Sequence, residues 1–370
     1  MKILTVFGTR PEAIKMAPVI KELRKFPQAF DCRVCVSAQH RDMLDPFLKL
    51  FGINPNFDLN IMRENQSLEY MTSTILSQMG RIIEQERPDF VLVQGDTTTS
   101  MAAALAAFYQ RVRIGHIEAG LRTNNKNQPF PEEINRRIID DMSDLYFVHT
   151  QEARENLIKE GAGEDRIELT GNTVIDSLLE IASRPELPET FLKGIPCEGK
   201  KIILVTAHRR ENIGRPLENI CQALQIIARK YADEVIIIYP VHLNPKVKEI
   251  VHKFLHGYKN ILCIEPLGYE AFVQAMKKSY LILTDSGGLQ EEAPSLHKPV
   301  LVLREVTERP EALETGATCL VGTDIDGIVE KTSLLIEDQQ AHQKMSQAVN
   351  PYGDGQASQR IVKRLLSEIR

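Results

Sequence analysis

The stretch KILTVFGTRPEAIK, residues 2–15, decides the fold class. A short run of mostly apolar residues ends at a glycine, and a proline then opens a pattern typical of a helix. A strand, a tight turn and a helix in succession form half of a βαβ unit, in which helices cover a parallel sheet. The same alternation continues along the 370 residues. The sequence therefore predicts an α/β protein built on parallel sheets.

Breaker residues divide this alternation into two parts. The predicted strands lie at 2–7, 32–38, 89–94, 112–117, 145–149, 201–206, 234–240, 261–264, 280–284, 299–303 and 318–321. The segment 184–199 holds three prolines and two glycines, a density typical of a linker. We therefore expect two doubly wound, Rossmann-like domains at 1–180 and 200–355, a division that suits the length. A final helix at 356–370 has no predicted docking position.

Composition excludes several classes of protein. Hydrophobic residues make up 43% and charged residues 26% of the chain, and the formal net charge is -5. No apolar run approaches the roughly 18 residues that a membrane span needs, and the N-terminal KILTVF resembles a strand rather than a secretory leader. We expect a cytoplasmic protein with no membrane partner and, without a long basic block, no nucleic-acid partner.

The cysteines predict packed thiols rather than a disulfide framework. Six cysteines are spread over a long chain without a leader. Cys32 and Cys35 form a C-x-x-C, which is the spacing of many metal and redox sites. They fall in a predicted strand, however, where an odd offset sends the two side chains to opposite faces. The sequence therefore predicts no metal site here.

Ligands of open α/β sheets bind beyond the C-terminal ends of the strands, so the residues there are the functional candidates. After the first strand, Gly8 and Thr9 make a tight turn, and Arg10 and Lys15 follow at the start of a helix. Two cations at a helix N-terminus suit a phosphate, although an ordinary turn with a solvent-exposed Lys15 is the alternative. The turn is neither G-x-G-x-x-G nor a Walker A loop, which disfavours a nicotinamide cofactor or a P-loop nucleotide.

Three carboxylates follow other strands of the first half. Asp96 stands at the start of a small-residue helix, where capping competes with a catalytic role. Glu118 closes an apolar strand, a position at which a solvated surface charge is not expected. Glu132 opens another helix and can pair with Arg136 four residues later. Each alone is compatible with a structural role, but three carboxylates at one sheet edge favour an active site.

The second half offers complementary groups. TAHRREN places His208 beside two arginines, which suits an anion and proton transfer, although a single histidine is more often a packed residue. Ser286, Gly287 and Gly288 leave N–H donors at a helix start, where a phosphate is favoured. Glu292 on the same helix would repel a phosphate, so we expect it to accept hydrogen bonds from a ribose. The expected arrangement is a cleft with carboxylates on one wall and a phosphate site on the other.

Nine motifs then carry a family resemblance, in the same order and over nearly the whole chain: VFGTRPEAIKMAP, GDTTT, HIEAGLRT, PFPEEINRR, TAHRREN, PVHLNP, TDSGGLQEEAPSL, TERPEAL and NPYGDGQAS. They resemble the non-hydrolysing bacterial UDP-N-acetylglucosamine 2-epimerases. The resemblance implies a glycosyltransferase-B-like fold with two domains facing each other across a cleft, a homodimer, and no metal or cofactor. It also implies interconversion of UDP-N-acetylglucosamine (UDP-GlcNAc) and UDP-N-acetylmannosamine (UDP-ManNAc) for cell-envelope polysaccharide synthesis.

Residue by residue, the resemblance implies roles at the matching positions. The catalytic candidates are Asp96, Glu118, Glu132 and His208, and which carboxylate removes a proton and which returns it stays open. The substrate-binding candidates are Arg10, Lys15, Arg136, Leu267, Phe272, Ser286, Gly287, Gly288, Glu292 and Arg309. Phe272 resembles the ring that stacks on uracil. Leu267 stands where a polar residue is typical, so a contact there has to use its backbone.

The family resemblance also implies activation by UDP-GlcNAc bound as a second molecule. Gln39 and His242 are the candidate contacts for that activator. Asp42 and Asn65, however, occupy positions where Gln and Arg are typical of activated members. The retained motifs motivate the activator hypothesis, and the two departures weigh against it.

Three alternatives remain open. A UDP-sugar-dependent glycosyltransferase can share the same fold and nucleotide-sugar site. A hydrolysing epimerase would release free N-acetylmannosamine. A nucleotide-sugar-binding sensor would keep the phosphate site but would need neither acid nor base, and the set of Asp96, Glu118, Glu132 and His208 speaks against it.

Overall fold

The computed structural model describes residues 1–39, 41–63, 66–185 and 197–369. The chain forms two compact units, one of Met1–Ser177 with Tyr352–Arg370 and the other of Leu178–Pro351. Most of the predicted linker, 184–199, lies outside the described residues. The predicted domain boundaries stay a prediction, because compact packing alone does not define an independently folding domain.

The first unit is built on a parallel sheet of seven strands: β1 (Lys2–Phe7), β2 (Asp31–Val36), β3 (Phe57–Asp58), β4 (Phe90–Gln94), β5 (Arg113–Ile117), β6 (Leu145–Val148) and β7 (Ile167–Leu169). Its helices are α1 (Arg10–Arg24), α2 (Arg41–Phe51), α3 (Leu68–Glu86), α4 (Thr98–Tyr109), α5 (Glu132–Met142) and α6 (Gln151–Lys159), and α7 (Thr173–Ser183) begins in this unit and ends in the second. The strand order is β3-β2-β1-β4-β5-β6-β7. Because the order reverses between β1 and β4, the ligand crevice of such a sheet opens beyond the ends of these two strands.

The second unit repeats this plan with six parallel strands: β8 (Lys201–Thr206), β9 (Val235–Pro240), β10 (Ile261–Ile264), β11 (Leu281–Thr284), β12 (Val300–Val302) and β13 (Thr318–Leu320). Its helices are α8 (Arg215–Lys230), α9 (Pro245–Leu255), α10 (Tyr269–Lys278), α11 (Gly287–Glu292), α12 (Pro310–Glu314), α13 (Ile325–Glu337) and α14 (Gln339–Ser346). The strand order β10-β9-β8-β11-β12-β13 reverses between β8 and β11. The corresponding crevice therefore lies beyond those two strands.

The central strands explain why the fold class is predictable. β1, β4 and β8 are buried along almost their whole length, as their near-continuous apolar runs require when helices cover both faces of a sheet. The predicted fold class, α/β with two doubly wound Rossmann-like sheets, is confirmed. Two strands were not predicted, β3 and β7, which are two and three residues long and lie at opposite edges of the first sheet. Segments this short show no periodicity, so only pairing with a neighbour defines them.

The C-terminal helix α15 (Ala357–Leu366) belongs to the first unit and packs against α1. Asp176 of α7 secures its start. The Asp176 carboxylate accepts hydrogen bonds from the backbone N–H groups of Ala357 and Ser358 at 3.2 and 2.8 Å and from the Ser358 hydroxyl at 2.6 Å. These bonds satisfy N–H groups that have no partner inside the helix.

Two further predictions concern membranes and thiols. Over the described ranges, no helix is long and apolar enough to cross a membrane. The Cys35 thiol is buried against the Met79 sulfur at 3.6 Å, and burial raises the pKa of Cys35 to about 12. Burial likewise raises the pKa of Cys32 to about 11. Thiols with pKa values this high are mostly protonated at neutral pH, and a protonated thiol is a poor metal ligand or nucleophile.

Candidate functional site

A buried glutamate, Glu12, accepts hydrogen bonds from both the turn after β1 and the turn after β4. Glu12 is 2% exposed, and its carboxylate accepts hydrogen bonds from the N–H groups of Gly8 and Thr9 at 3.0 and 2.8 Å. The hydroxyls of Thr97 and Ser100 donate to it at 2.7 and 2.9 Å. Burial raises the pKa of Glu12 by more than these donors lower it. The sequence analysis missed this residue, although Thr9 and Glu12 have the spacing of a capping box.

Asp96 follows β4 and does not cap the next helix. Thr97 occupies that N-cap, and its side chain accepts from the Ser100 N–H at 3.1 Å. The Asp96 carboxylate instead accepts a hydrogen bond from Arg136 at 2.6 Å, and the Asn135 amide donates to the Asp96 carbonyl at 2.9 Å. Thr97, rather than Asp96, therefore caps this helix, which was the structural role considered for Asp96.

Most of the site residues predicted in the first half of the chain lie in one cluster around Asp96. Burial raises the pKa of Asp96, Arg136 and Lys15 lower it, and the carboxylates of Glu118 and Glu132 raise it. The net shift is upward, so Asp96 keeps its proton to higher pH than an exposed aspartate does. A carboxyl group with a raised pKa beside other carboxylates suits proton transfer.

Glu118 lies directly after β5, the neighbour of β4. Its φ of 68° falls in the left-handed region, a conformation that is rare for non-glycine residues and is concentrated at functional sites. Lys15 forms a salt bridge with the Glu118 carboxylate, and the Gln94 amide donates to the same oxygen. Asp96 and Glu118 thus each have a cation as a partner.

Arg136 has other partners than the predicted one. Its guanidinium contacts Asp96 and lies 3.6 Å from the carboxylate of Glu133, which is fully buried and also accepts from two backbone N–H groups of the preceding loop. No ion pair with Glu132 occurs among the described side chains. A buried carboxylate needs a compensating charge more than a half-buried one does, which explains why Arg136 pairs with Glu133. Glu132 remains close enough to Asp96 to affect its pKa.

Arg10 and Gln39 occupy different environments. Arg10 is exposed at the start of α1, with its guanidinium 6.0 Å from the centre of the Phe47 ring. Gln39 is only 9% exposed, and its amide oxygen accepts a hydrogen bond from the Thr99 hydroxyl at 2.8 Å. The side-chain oxygen of Gln39 is therefore already used within the first unit. Asn65, one of the two departures from the activated pattern, lies outside the described residues.

In the second unit, Asp285 organises the turn after β8. It follows β11, is fully buried, and accepts hydrogen bonds from the N–H groups of His208 and Arg209, both at 2.8 Å, and from the Asn212 amide at 3.0 Å. Its other oxygen lies 3.8 Å from Nδ1 of His208. The sequence analysis missed Asp285, although a carboxylate directly after a buried apolar strand is the same signal that marked Glu118.

His208 and His242, predicted for different roles, lie side by side. Their rings stack with centroids 5.0 Å apart and an interplanar angle of 7°. The Asn244 N–H donates to Nδ1 of His242 at 3.1 Å, and His242 is exposed. Nδ1 of His242 therefore acts as an acceptor, which leaves Nε2 of the neutral ring as its donor.

The glycine turn opens α11 as predicted from the sequence. Ser286 is the N-cap of this helix, and its own N–H donates to the Thr284 hydroxyl at 2.9 Å. A Cβ atom added to Gly287 would come within 3.5 Å of the Arg209 guanidinium. A cation therefore lies close to the turn that was predicted to bind phosphate.

The remaining predicted nucleotide contacts lie near this helix or on α10. Burial and the neighbouring Glu292 carboxylate raise the pKa of Tyr269 well above its usual value, so these two side chains are adjacent. Arg309 forms a salt bridge with the buried Glu291. Leu267 and Phe272 are half-buried, Leu267 just before α10 and Phe272 in its first turn.

In the part of the chain that the structure describes, no group of three or more His, Cys, Asp or Glu side chains could hold a metal ion. The structure does bring together Lys15, Asp96, Glu118, Glu132 and Arg136 in the first unit. In the second unit it brings His208 beside His242, and it brings the glycine turn beside Arg209.

Comparison with known proteins identifies the family of the chain. The family model described as UDP-N-acetylglucosamine 2-epimerase matches residues 21–366. The UDP-N-acetylglucosamine 2-epimerase of Escherichia coli (strain K12) is 52% identical over 371 residues, covering 99% of this chain and 98% of that protein. The enzyme of the same name from Bacillus subtilis (strain 168) is 51% identical over 366 residues, covering 99% and 95%. The crystal structure of UDP-GlcNAc 2-epimerase from Neisseria meningitidis bound to UDP-GlcNAc is 48% identical, with a TM-score of 0.91 and coverage of 99% and 100%. The chain therefore belongs to the UDP-N-acetylglucosamine 2-epimerase family.

Proposed function

We propose that this chain interconverts UDP-GlcNAc and UDP-ManNAc without net hydrolysis and without a metal or other cofactor, a supply of UDP-ManNAc that suits cell-envelope polysaccharide synthesis. The observation that carries the proposal is the pair of Asp96 and Glu118 after adjacent strands, each with a cation as its partner. The relative from Neisseria meningitidis was crystallised with UDP-GlcNAc, which supports a nucleotide sugar as the substrate.

The first step follows from the chemistry of the sugar. The proton at C2 lies beside an acetal carbon rather than a carbonyl, so no enolate can stabilise its removal. A carboxylate takes this proton, the C2–H electron pair forms a C1=C2 double bond, and the C1–O bond to UDP breaks. UDP leaves with the electrons of that bond, and 2-acetamidoglucal remains. Cations near the diphosphate stabilise the charge that develops on it.

The second step is the reverse addition, except that C2 receives its proton on the opposite face of the sugar. A diphosphate oxygen of UDP attacks C1, and a carboxyl group delivers a proton to C2 from the face opposite to the one that lost it. The reaction needs one ionised and one protonated carboxyl group at the same time. Burial and the neighbouring carboxylates of Glu118 and Glu132 raise the pKa of Asp96, which supports a cluster in which one carboxyl group holds a proton while another is ionised.

The other candidates are assigned unit by unit. In the second unit, His208 is the fourth catalytic candidate, beside the diphosphate that the α11 turn of Ser286, Gly287 and Gly288 binds with Arg309. In the first unit, Arg10 and Lys15 are further ligand contacts. Glu292 accepts from the ribose, Phe272 stacks on uracil, and Leu267 contacts the base through its backbone. Arg136 positions Asp96.

Deuterium incorporation tests the proposed reaction. Purified protein is incubated with UDP-GlcNAc in deuterated water without added metal or cofactor, and the products are analysed by NMR. We expect deuterium at C2 of both UDP-GlcNAc and UDP-ManNAc. UDP-ManNAc without C2 deuterium would overturn the elimination mechanism. Free N-acetylmannosamine would identify a hydrolysing enzyme, and sugar transfer to an acceptor would identify a glycosyltransferase.

Arg136 offers a prediction about pH. Arg136 lowers the pKa of Asp96, so Arg136→Gln should raise that pKa and shift one limb of the pH profile of kcat/KM to higher pH. If Asp96 is the base, its protonation abolishes activity as the pH falls, and the acid limb moves. If Asp96 is the acid, its ionisation abolishes activity as the pH rises, and the alkaline limb moves. The experiment thus also assigns the role.

Arg137→Gln is the matched control for this measurement. Arg137 is the next residue of α5 and also pairs with Glu133, at 3.1 Å. We expect both limbs of its profile to match those of the unsubstituted protein. A profile that Arg136→Gln leaves unchanged would contradict the placement of Asp96 among the reacting groups.

The proposal includes a homodimer and activation by UDP-GlcNAc. His242 is the stronger activator contact, because it is exposed beside His208, whereas the amide oxygen of Gln39 is occupied by Thr99. With UDP-ManNAc as substrate, we expect a sigmoidal rate curve that trace UDP-GlcNAc makes hyperbolic. A curve that is hyperbolic from the start rules out activation, and a monomeric mass in light scattering rules out the dimer.

A further inference from the structure

A fully buried histidine contacts the peptide that precedes Asp96. His116 of β5 is 0% exposed, and both of its ring nitrogens have partners. Nε2 lies 2.8 Å from the carbonyl oxygen of Gly95, and Nδ1 lies 2.7 Å from a carboxylate oxygen of Asp140. The sequence analysis quoted this histidine in HIEAGLRT but gave it no role.

The Gly95 carbonyl identifies one donor of the ring. A backbone carbonyl can only accept a hydrogen bond. Nε2 of His116 therefore carries a proton and donates it to the Gly95 carbonyl oxygen. Nδ1 faces the Asp140 carboxyl group, which fixes the orientation of the ring.

Further hydrogen bonds hold Asp140 in place. Asp140 also accepts from Arg122 at 2.7 Å and from the Gly120 N–H at 3.2 Å, and Arg122 pairs with Glu160 at 2.8 Å. Burial alone raises the pKa of Asp140, but the contacts with His116 and Arg122 lower it by more, so its net pKa lies below the usual value. Asp140 is therefore a fixed anchor for the His116 ring.

These contacts hold the backbone from which the Asp96 side chain extends. The Gly95 N–H donates to the carbonyl of Ile117 at 2.9 Å, so β5 binds Gly95 on both its N–H and its C=O sides. Gly95 has a φ of 67°, which glycine adopts without strain. His116 thus fixes the peptide plane between Gly95 and Asp96, and rotation of that plane would move the Asp96 carboxylate.

We propose that His116 is a positioning residue whose Nε2–H holds the Gly95–Asp96 peptide in the geometry that proton transfer at C2 requires. The inference rests on the proposed function, because it assumes that Asp96 reacts with the sugar. Misplacing a reacting group by about 1 Å can lower a rate by about 100-fold, so a donor that does not contact the substrate has a measurable effect.

Two amide substitutions separate the two hydrogen bonds of the ring. The glutamine amide nitrogen can reach the Nε2 position and keep the bond to Gly95, whereas the shorter asparagine can reach only the Nδ1 position and loses it. Both variants lose the imidazole ring beside Asp140, so each is the control for the other. We expect His116→Asn to lower kcat at least about tenfold with KM for UDP-GlcNAc within about twofold. His116→Gln should recover most of kcat.

Equal losses of kcat in both variants, in proportion to their melting temperatures, would indicate a purely structural histidine and overturn the proposal. Unchanged kcat in His116→Asn would overturn it as well. A failure of the proposed function looks different, because the unsubstituted protein would then give no C2 deuterium in UDP-ManNAc.

An NMR measurement on the unsubstituted protein is independent of turnover and of how the variants fold. With 15N-labelled histidine, we expect one ring whose Nε2 proton exchanges slowly with solvent. This signal should be absent from His116→Gln. A His116 ring without a proton on Nε2 would contradict the proposal.

Discussion

Asp96→Asn and Glu118→Gln should each lower kcat at least about 100-fold, the range expected when a proton-transferring group is removed. Both substitutions keep the size of the side chain and a hydrogen-bond acceptor for Arg136 or Lys15, so the fold should be retained. UDP-ManNAc formation measures turnover, and loss of deuterium from C2-labelled UDP-GlcNAc measures proton removal separately. A variant that removes the proton but forms no UDP-ManNAc has lost the returning group.

Matched controls make the same chemical change away from the cluster. Asp141→Asn alters an exposed aspartate on α5, and Glu84→Gln alters an exposed glutamate on α3. We expect both controls to keep full activity and an unchanged melting temperature. Full activity in Asp96→Asn or Glu118→Gln would remove the assignment of the catalytic cluster.

Substitutions of Asp285 should have the second large effect, and two different substitutions separate its contribution to stability from its contribution to activity. Asp285→Ala removes the acceptor for two backbone N–H groups and the Asn212 amide, at a cost of about 2–4 kcal/mol in the free energy of unfolding. We therefore expect a clear fall of the melting temperature measured by circular dichroism. The turn carrying His208 and Arg209 would lose its anchor, so turnover should fall as well.

Asp285→Asn distinguishes the anchor from the charge. Its amide oxygen can keep all three hydrogen bonds, while the negative charge 3.8 Å from Nδ1 of His208 disappears. We expect a melting temperature close to that of the unsubstituted protein and a loss of kcat between about 10- and 100-fold. If Asp285→Ala unfolds at an unchanged temperature, the anchoring role is wrong.

Much of the fold and the candidate cluster could be predicted from the sequence because parallel sheets obey simple rules. Apolar runs such as the one in β1 must be buried on both faces, and the ends of such strands must meet at one edge. Lys15, Asp96 and Glu118 follow three strands that are neighbours in the observed order, so their proximity followed from the strand pattern.

What could not be predicted is which charged residues are buried. Sequence letters do not distinguish a solvated glutamate from Glu12 or a surface histidine from His116, because burial depends on helix phase and on packing of distant segments. The predicted partner of Arg136 was wrong for this reason. Glu132 and Glu133 are neighbours on α5, but Glu133 is buried and Glu132 is only half-buried. The strands β3 and β7 were missed because neither lies in a longer apolar run, whereas the similarly short β12 and β13 lie in the runs 299–303 and 318–321 that predicted them.

The helix α15, anchored by Asp176 and packed on α1, has a consequence for biosynthesis. The first unit takes its last helix from residues that follow the second unit in the sequence, so a ribosome must translate the whole second unit before the first unit can close. Until then the face of α1 that α15 covers is exposed to solvent. Chaperones can bind the nascent first unit at this stage. Expression of residues 1–177 alone should yield an aggregation-prone fragment, whereas a fusion of 1–177 to 352–370 restores the missing cover.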